Sequence, residues 1–309
     1  MTEAEEPELP RGIALAWGVA ANPQRGPKRE MSVERIVEAA MEIADAEGLG
    51  AVSMAAVAAR LGYTPMSLYR YVSAKEDLVL LMQEEATGLP TEESRTAGDW
   101  RAQLEALYRE QVQAYLRHPW VLDVPIRGIP STPNSAAWMD AGLRALSETP
   151  LTYDERLAVL LIVTGSARWT GIVLAGYVHL ERERGVAGDE LTRYEDALFR
   201  SLISADAYPA LREAIDAGAF LDESDPFTFG LERSLDGVAR YLDAVAAGDR
   251  PARAPWHGLD DAEIADDKRY REARKAVREA EKGLRDARRM LRQSAREARD
   301  RRSRQRTDG

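Results

Sequence analysis

Thr64, Met66, Ser67, Tyr69 and Arg70 are the residues whose types and spacing carry the most chemistry. Two hydroxyls, a thioether, a phenol and a guanidinium crowd together, while only Leu68 and Val72 are suited to turn inward. On a helix this makes a thin apolar face below and a short polar face above. The major groove of B-form DNA admits one α-helix and displays hydrogen-bonding base edges to it. Pro65 and Tyr71 belong to the same segment, and Lys75 closes it. From residue 48 to residue 75 there is no Asp or Glu, while Arg60, Arg70 and Lys75 are present.

Other chemistry is poorly supported. There is no Cys, so thiolate chemistry and disulfides are excluded. The three His (His118, His179, His257) lie far apart, and none has a second ligand at helical spacing. No nucleophile–base pair stands out, and the glycines lack the strand–loop–helix setting of a phosphate loop. The expectation is a non-enzyme without cofactor or metal.

The elements that must position the polar segment are helices. Ser32 caps a first helix whose stripe is Val33, Ile36, Val37, Ala40, Met41 and Ala44. Gly48 stops it. Ser53 caps a short second helix with Val57, Ala58 and Leu61 inward, and Gly62 permits a left-handed turn. Thr64 caps the third helix and Pro65 takes its first position, where a missing N–H costs nothing. Ser73-Ala74-Lys75-Glu76 reads as a capping box opening a fourth helix. Two short helices around a glycine turn, crossed by a third, form a helix-turn-helix.

Downstream, residues 88–99 read as a polar break. Helices are expected over 100–117, 136–147, 157–180, 191–203, 209–217 and 226–246, with no strand. Residues 157–180 carry one full charge, Arg168. A membrane span is one reading of that stretch. Burial in a helical bundle is preferred, because a charge at mid-membrane is costly and no second span exists. After a linker at 249–262, apolar residues step by three and four from Tyr270 through Val277, Leu284 and Leu291 to Ala298. This is a heptad seam, narrow because it is rich in Ala.

The 309 residues carry 42 Lys and Arg against 52 Asp and Glu, a net charge of -10. That charge is polarised: residues 268–306 hold 17 cations and 6 acids, a surplus of eleven. The N-terminus is acidic, unlike a secretion signal, and a cytoplasmic location is expected.

Residues 32–81, and above all GYTPMSLYRYVSAKEDLVLL, resemble the tetracycline-repressor (TetR) family. The matching positions are Gly62, Leu68, Tyr69, Arg70, Tyr71 and Lys75. Arg117-His118-Pro119-Trp120, Phe229-Gly230-Leu231 and Leu235-Asp236-Gly237 are similar to stretches in actinobacterial members. The resemblance implies an all-α fold and a homodimer on a palindromic, double-stranded operator. It also implies a small-molecule effector that weakens DNA binding and relieves repression. The family often senses antibiotics and controls exporters, and a large aromatic or amphipathic effector suits such a pocket.

By resemblance Tyr69 and Lys75 contact phosphate, and Lys75 also stands at a helix N-terminus that favours anions. Thr64, Met66, Ser67 and Arg70 occupy base-facing positions. Arg70 reads as a two-pronged guanine contact, worth about 1–3 kcal/mol, or equally as a phosphate contact. Packing beneath the helix is the other reading of Tyr69. Ser53 reads equally as cap and phosphate contact. Arg25, Lys28 and Arg29 end an N-terminal arm that either enters the minor groove or is simply solvated.

The domains expected are a flexible, basic-ended arm over 1–31, a DNA-binding domain over 32–88 and a ligand-binding and dimerisation bundle over 99–248. The linker and a coiled-coil-like basic helix over 263–305 follow. Tyr115, Trp138, Met139, Arg168, Trp169, Tyr177 and His179 are the effector-site candidates, though for the aromatics a core role is the alternative. Arg168 needs a partner, either an effector group or a neighbouring carboxylate. The dimer interface is expected on helices 157–180 and 227–246, where Gly165, Gly171 and Gly176 allow close approach. The terminal helix could pack on acidic protein surface, add nucleic-acid contacts or stay free. The alternative to a regulator is a helical interaction or scaffold protein binding nucleic acid non-specifically through that helix.

Overall fold

The computed structural model describes residues 9–19, 31–126, 128, 131–221, 224–252, 264 and 267–307, and among them every regular element is a helix. The chain forms two compact units, Met1–Arg250 and Pro251–Gly309.

The first unit opens with a correction. Residues 1–31 were expected to be irregular, yet Arg11–Ala16 form a helix, α1. Its N-cap is Pro10, which makes no side-chain cap bond, so its support is tertiary. Gly12 N donates to Asp77 Oδ1 at 3.0 Å, and a Cβ on Gly12 would stand 2.7 Å from that oxygen. Trp17 Nε1 donates to Ser131 O at 2.7 Å. Arg25, Lys28 and Arg29 lie outside the described residues.

Helices α2 (Val33–Glu47), α3 (Met54–Leu61), α4 (Pro65–Tyr69) and α5 (Lys75–Thr87) build the first core. The Ser32 hydroxyl accepts from Arg35 N, and that of Ser53 from Ala56 N. Ile36, Ala40, Val52, Val57, Leu68, Val72, Leu78 and Met82 are completely buried. In α2 the inward stripe also takes Ile43, while Met41 packs against the same core partly buried. The expected capping box on α5 is also corrected: its N-cap is Ala74, one residue later, with no side-chain cap bond. Asp77 instead receives Gly12 N from α1.

Residues 88–99, expected to be a break, hold a one-turn helix, α6 (Glu92–Thr96), capped by Thr91. Helices α7 (Trp100–Arg117), α8 (Pro133–Ala145), α9 (Tyr153–Arg184) and α12 (Pro226–Ala246) form a second core around Leu104, Leu107, Val163, Leu231 and Leu235. The intervening α10 (Gly188–Leu202) and α11 (Pro209–Asp216) bury Leu191 and Ile215. A true capping box opens α9, joining Thr152 and Glu155. Glu155 also receives Tyr241 of α12 and pairs with Arg250, so three segments meet at one carboxylate. Gly142 and Gly171 permit the tight crossings: Cβ atoms there would stand 2.4 Å from Leu160 and 2.9 Å from Tyr115.

A 3-10 turn, Pro119–Asp123, follows α7. Trp120, Val121 and Val124 pack into the first core, not the second. The 3-10 turn thus follows the bundle's α7 in the chain but packs with the helices before residue 99.

The second unit contains α13, Lys268–Thr307, close to the expected span and 40 residues long.

Candidate nucleic-acid interface

Polar side chains at 64–70 stay outside because Leu68 and Val72 take all the inward space, both being completely buried. Gly62 at φ 77° makes the left-handed bend that separates α3 from α4. Pro65 occupies the first turn of α4. Thr64, Pro65, Met66, Tyr69, Arg70 and Lys75 are exposed, Met66 by 75% and Tyr69 by 45%. Ser67 is half-buried, and its hydroxyl donates to Thr64 O at 2.5 Å. Tyr71 departs from the group by turning partly into the core. Ser53 serves as a cap while remaining exposed.

Lys75 is the first residue of α5. It stands just beyond the end of α4, followed in the same turn by Glu76 and by Asp77, whose carboxylate is held by Gly12 N. The nearby cation Arg60 is already held by Glu42 of α2, at 2.6 Å.

The bundle joins this domain through a chain of polar contacts. Trp120 Nε1 donates to Asp45 Oδ1 at 2.7 Å, and His118 Nδ1 lies 2.9 Å from the same oxygen. Arg168, deep in α9, donates to the carbonyls of Leu122 and Val124 at 2.7 and 3.1 Å. Its expected partner was a carboxylate or an effector group; the structure supplies main-chain oxygens at the end of the 3-10 turn. Tyr115 lies beside Arg168, and burial pushes its phenol pKa up despite that cation.

The other effector-site candidates do not converge. Trp138 is buried, and its indole donates to Gly88 O at 3.0 Å. Met139 is half-buried. Trp169, Tyr177 and His179 stand exposed on α9, where Tyr177 bonds Glu195 and His179 pairs with Glu183. A groove of about 560 Å³ lies between the end of α5 and α7, with Glu85, Leu89, Arg109, Gln113, His118 and Trp138 in its walls. Of the seven candidates only Trp138 reaches it. The groove was not legible in the sequence, because its walls combine ordinary residues from α5, the segment after it, α7 and α8.

Comparison with known proteins agrees with this architecture. Residues 36–82 match the bacterial regulatory proteins of the tetR family, and residues 90–242 match the tetracyclin repressor-like C-terminal domain. The HTH-type transcriptional repressor DrrR1 of Streptomyces coeruleorubidus is 35% identical over 254 residues, 80% of this chain and 90% of that protein. An HTH-type transcriptional regulator of Saccharopolyspora erythraea is 29% identical over 257 residues, 80% of this chain and 98% of that one. ActR of Streptomyces coelicolor, solved in complex with actinorhodin, shares the fold with a TM-score of 0.54 and 22% identity, over 70% of this chain and 98% of its own. An N-terminal helix-turn-helix followed by a helical bundle defines a one-component DNA-binding regulator. The chain belongs to the TetR family of transcriptional regulators.

Proposed function

We propose that this chain represses transcription as a homodimer on a palindromic operator and is released by a small amphipathic or aromatic molecule. The observation that carries the reading is the exposed polar face of α4, with Lys75 at its edge and no acid in residues 48–75. Thr64, Met66, Ser67 and Arg70 meet base edges; Tyr69, Lys75 and Ser53 hold the backbone.

The second copy docks on α9 and α12. Leu161 is 71% exposed, Trp169 62% and Phe229 60%, and Ile162 and Ile172 are also uncovered. Gly165, Gly176, Gly230 and Gly237 meet nothing within 4 Å, so a partner helix can come close. The same face gives α9 the length and apolarity of a membrane span. Its buried side, with Val159, Val163, Ala167 and Thr170, packs in the bundle core. Pairing of two copies accounts for the other side. A DNA partner supports a cytoplasmic location.

An effector of drug size fits a groove of 560 Å³. His118 lines that groove and touches Asp45 of the DNA-binding domain, so occupancy there can be felt at α2. The repressor name of the 35% identical relative supports repression, and the complex of ActR with actinorhodin supports release by a small molecule.

The test is an electrophoretic shift with DNA flanking the protein's own gene. The wild type should retard it specifically, and a Tyr69→Ala, Lys75→Ala double variant should bind at least tenfold more weakly with an unchanged melting temperature. Equal retardation by both would remove these residues from the interface.

A further inference from the structure

The family match ends at residue 242, so α13 lies outside it. At 1.5 Å per residue its 40 residues extend about 60 Å. When Val277, Leu284 and Leu291 define position a of a heptad, position b is Arg five times running, from Arg271 to Arg299. Position f is Lys or Arg four times running, from Lys275 to Arg296. At 3.6 residues per turn, b and f are adjacent and lie opposite the apolar seam. On this register nine cations fall on the two adjacent positions b and f, while acids such as Glu272, Glu279 and Asp286 fall on position c. Arg271, Lys275, Arg278 and Lys282 are exposed.

Three occupants compete for this helix, and charge decides among them. A second copy of α13 would set two surpluses of eleven side by side, with only Ala273, Ala280, Ala287 and Ser294 at position d to offset the repulsion. The acids of the bundle are poor partners because several are already engaged. Asp140 holds Arg144, Asp189 holds Arg193, Asp216 holds Arg212, and Asp236 holds Arg101 and Arg233. Duplex DNA offers an evenly spaced line of phosphates, one per about 3.4 Å on each strand. A row with a cation every 3.5 residues, about 5 Å along the helix, is long and linear and so offers contacts to several phosphates at once.

We propose that α13 is a sequence-independent phosphate-binding arm that lies along duplex DNA beside the operator. The proposal rests on the DNA-binding reading for where the arm acts, not for its charge. It adds affinity through counterion release, adds no base readout, and gives an acidic protein a local hold on a polyanion.

The test uses the full chain and a 60-bp duplex of mixed sequence lacking the operator, with fluorescence anisotropy read from 50 to 300 mM NaCl. The R271Q/K275Q/R278Q/K282Q variant replaces four cations by residues of similar helix propensity. Wild type should bind at least tenfold more tightly at low salt, and its log affinity should fall more steeply with log salt by about two to four units. The R271K/R278K variant should behave as wild type. All three proteins should give the same footprint on DNA flanking their own gene, whereas the Tyr69 and Lys75 variant should lose it. The two readings therefore fail separately. Equal affinity and slope for wild type and the glutamine variant would overturn the arm. So would a glutamine variant that binds like wild type but changes its oligomeric state, since helix pairing would then be the role of α13.

Discussion

Trp120 of the bundle donates its indole N–H to Asp45 Oδ1, a carboxylate two residues from the end of α2, at 2.7 Å. Trp120 is 2% exposed and packs into the core of the DNA-binding domain. A buried side chain of the bundle is thus seated in the core of the DNA-binding domain, with Asp45 as its polar partner. Trp120→Phe should keep the ring's burial but remove the donor. A hydrogen bond to a charged group contributes about 1.5–3 kcal/mol, so unfolding in urea should show a loss of that order. An unchanged midpoint would mean that His118, already 2.9 Å from the same oxygen, satisfies Asp45 by itself.

The uncovered face of α9 should hold the second copy. Leu161→Glu with Ile172→Glu places two charges where a symmetric apolar interface must close. Sedimentation should show a dimer for wild type and a monomer for the variant, with helical content retained. Removing residues 260–309 should leave the dimer whole. Obligate monomers after truncation would move the interface away from α9 and α12.

Glu155 joins the start of α9 to α12 and Arg250. The Arg250 guanidinium, helped by Tyr241 and the Thr152 N–H, holds its carboxyl at about 2 against an ordinary 4.5. A depressed carboxylate pKa adds stability above the unfolded value and loses it as pH falls toward the folded one. Wild type should therefore lose melting temperature between pH 4.5 and 2 more steeply than Glu155→Gln, which keeps a capping-box side chain. Parallel acid limbs would show that the Arg250 pair is silent in solution.

The parts of this fold legible in the sequence are those with local signals. Ser32, Ser53, Gly62 and Pro65 fix α2 to α4 through caps and a turn that depend on neighbours in the chain. What was missed depends on distant partners. Helix α1 is a short apolar run held by Asp77 and Ser131. The capping box at Ser73 gave way when α5 began one residue later. In α9 nearly every side is apolar, so periodicity could not tell Trp169 outside from Val163 inside. Arg168 looked like a residue awaiting a charged partner because backbone carbonyls leave no trace in composition.

Two copies of α4 should enter successive major grooves of one duplex. Hydroxyl-radical footprinting of the wild-type protein on DNA flanking its own gene reads this out. Two protected half-sites should appear, related by a two-fold axis and spaced by about one helical turn or a multiple, 10–10.5 bp. Arg70→Ala should weaken the protection. A single unsymmetrical patch, or protection indifferent to every substitution on α4, would contradict it.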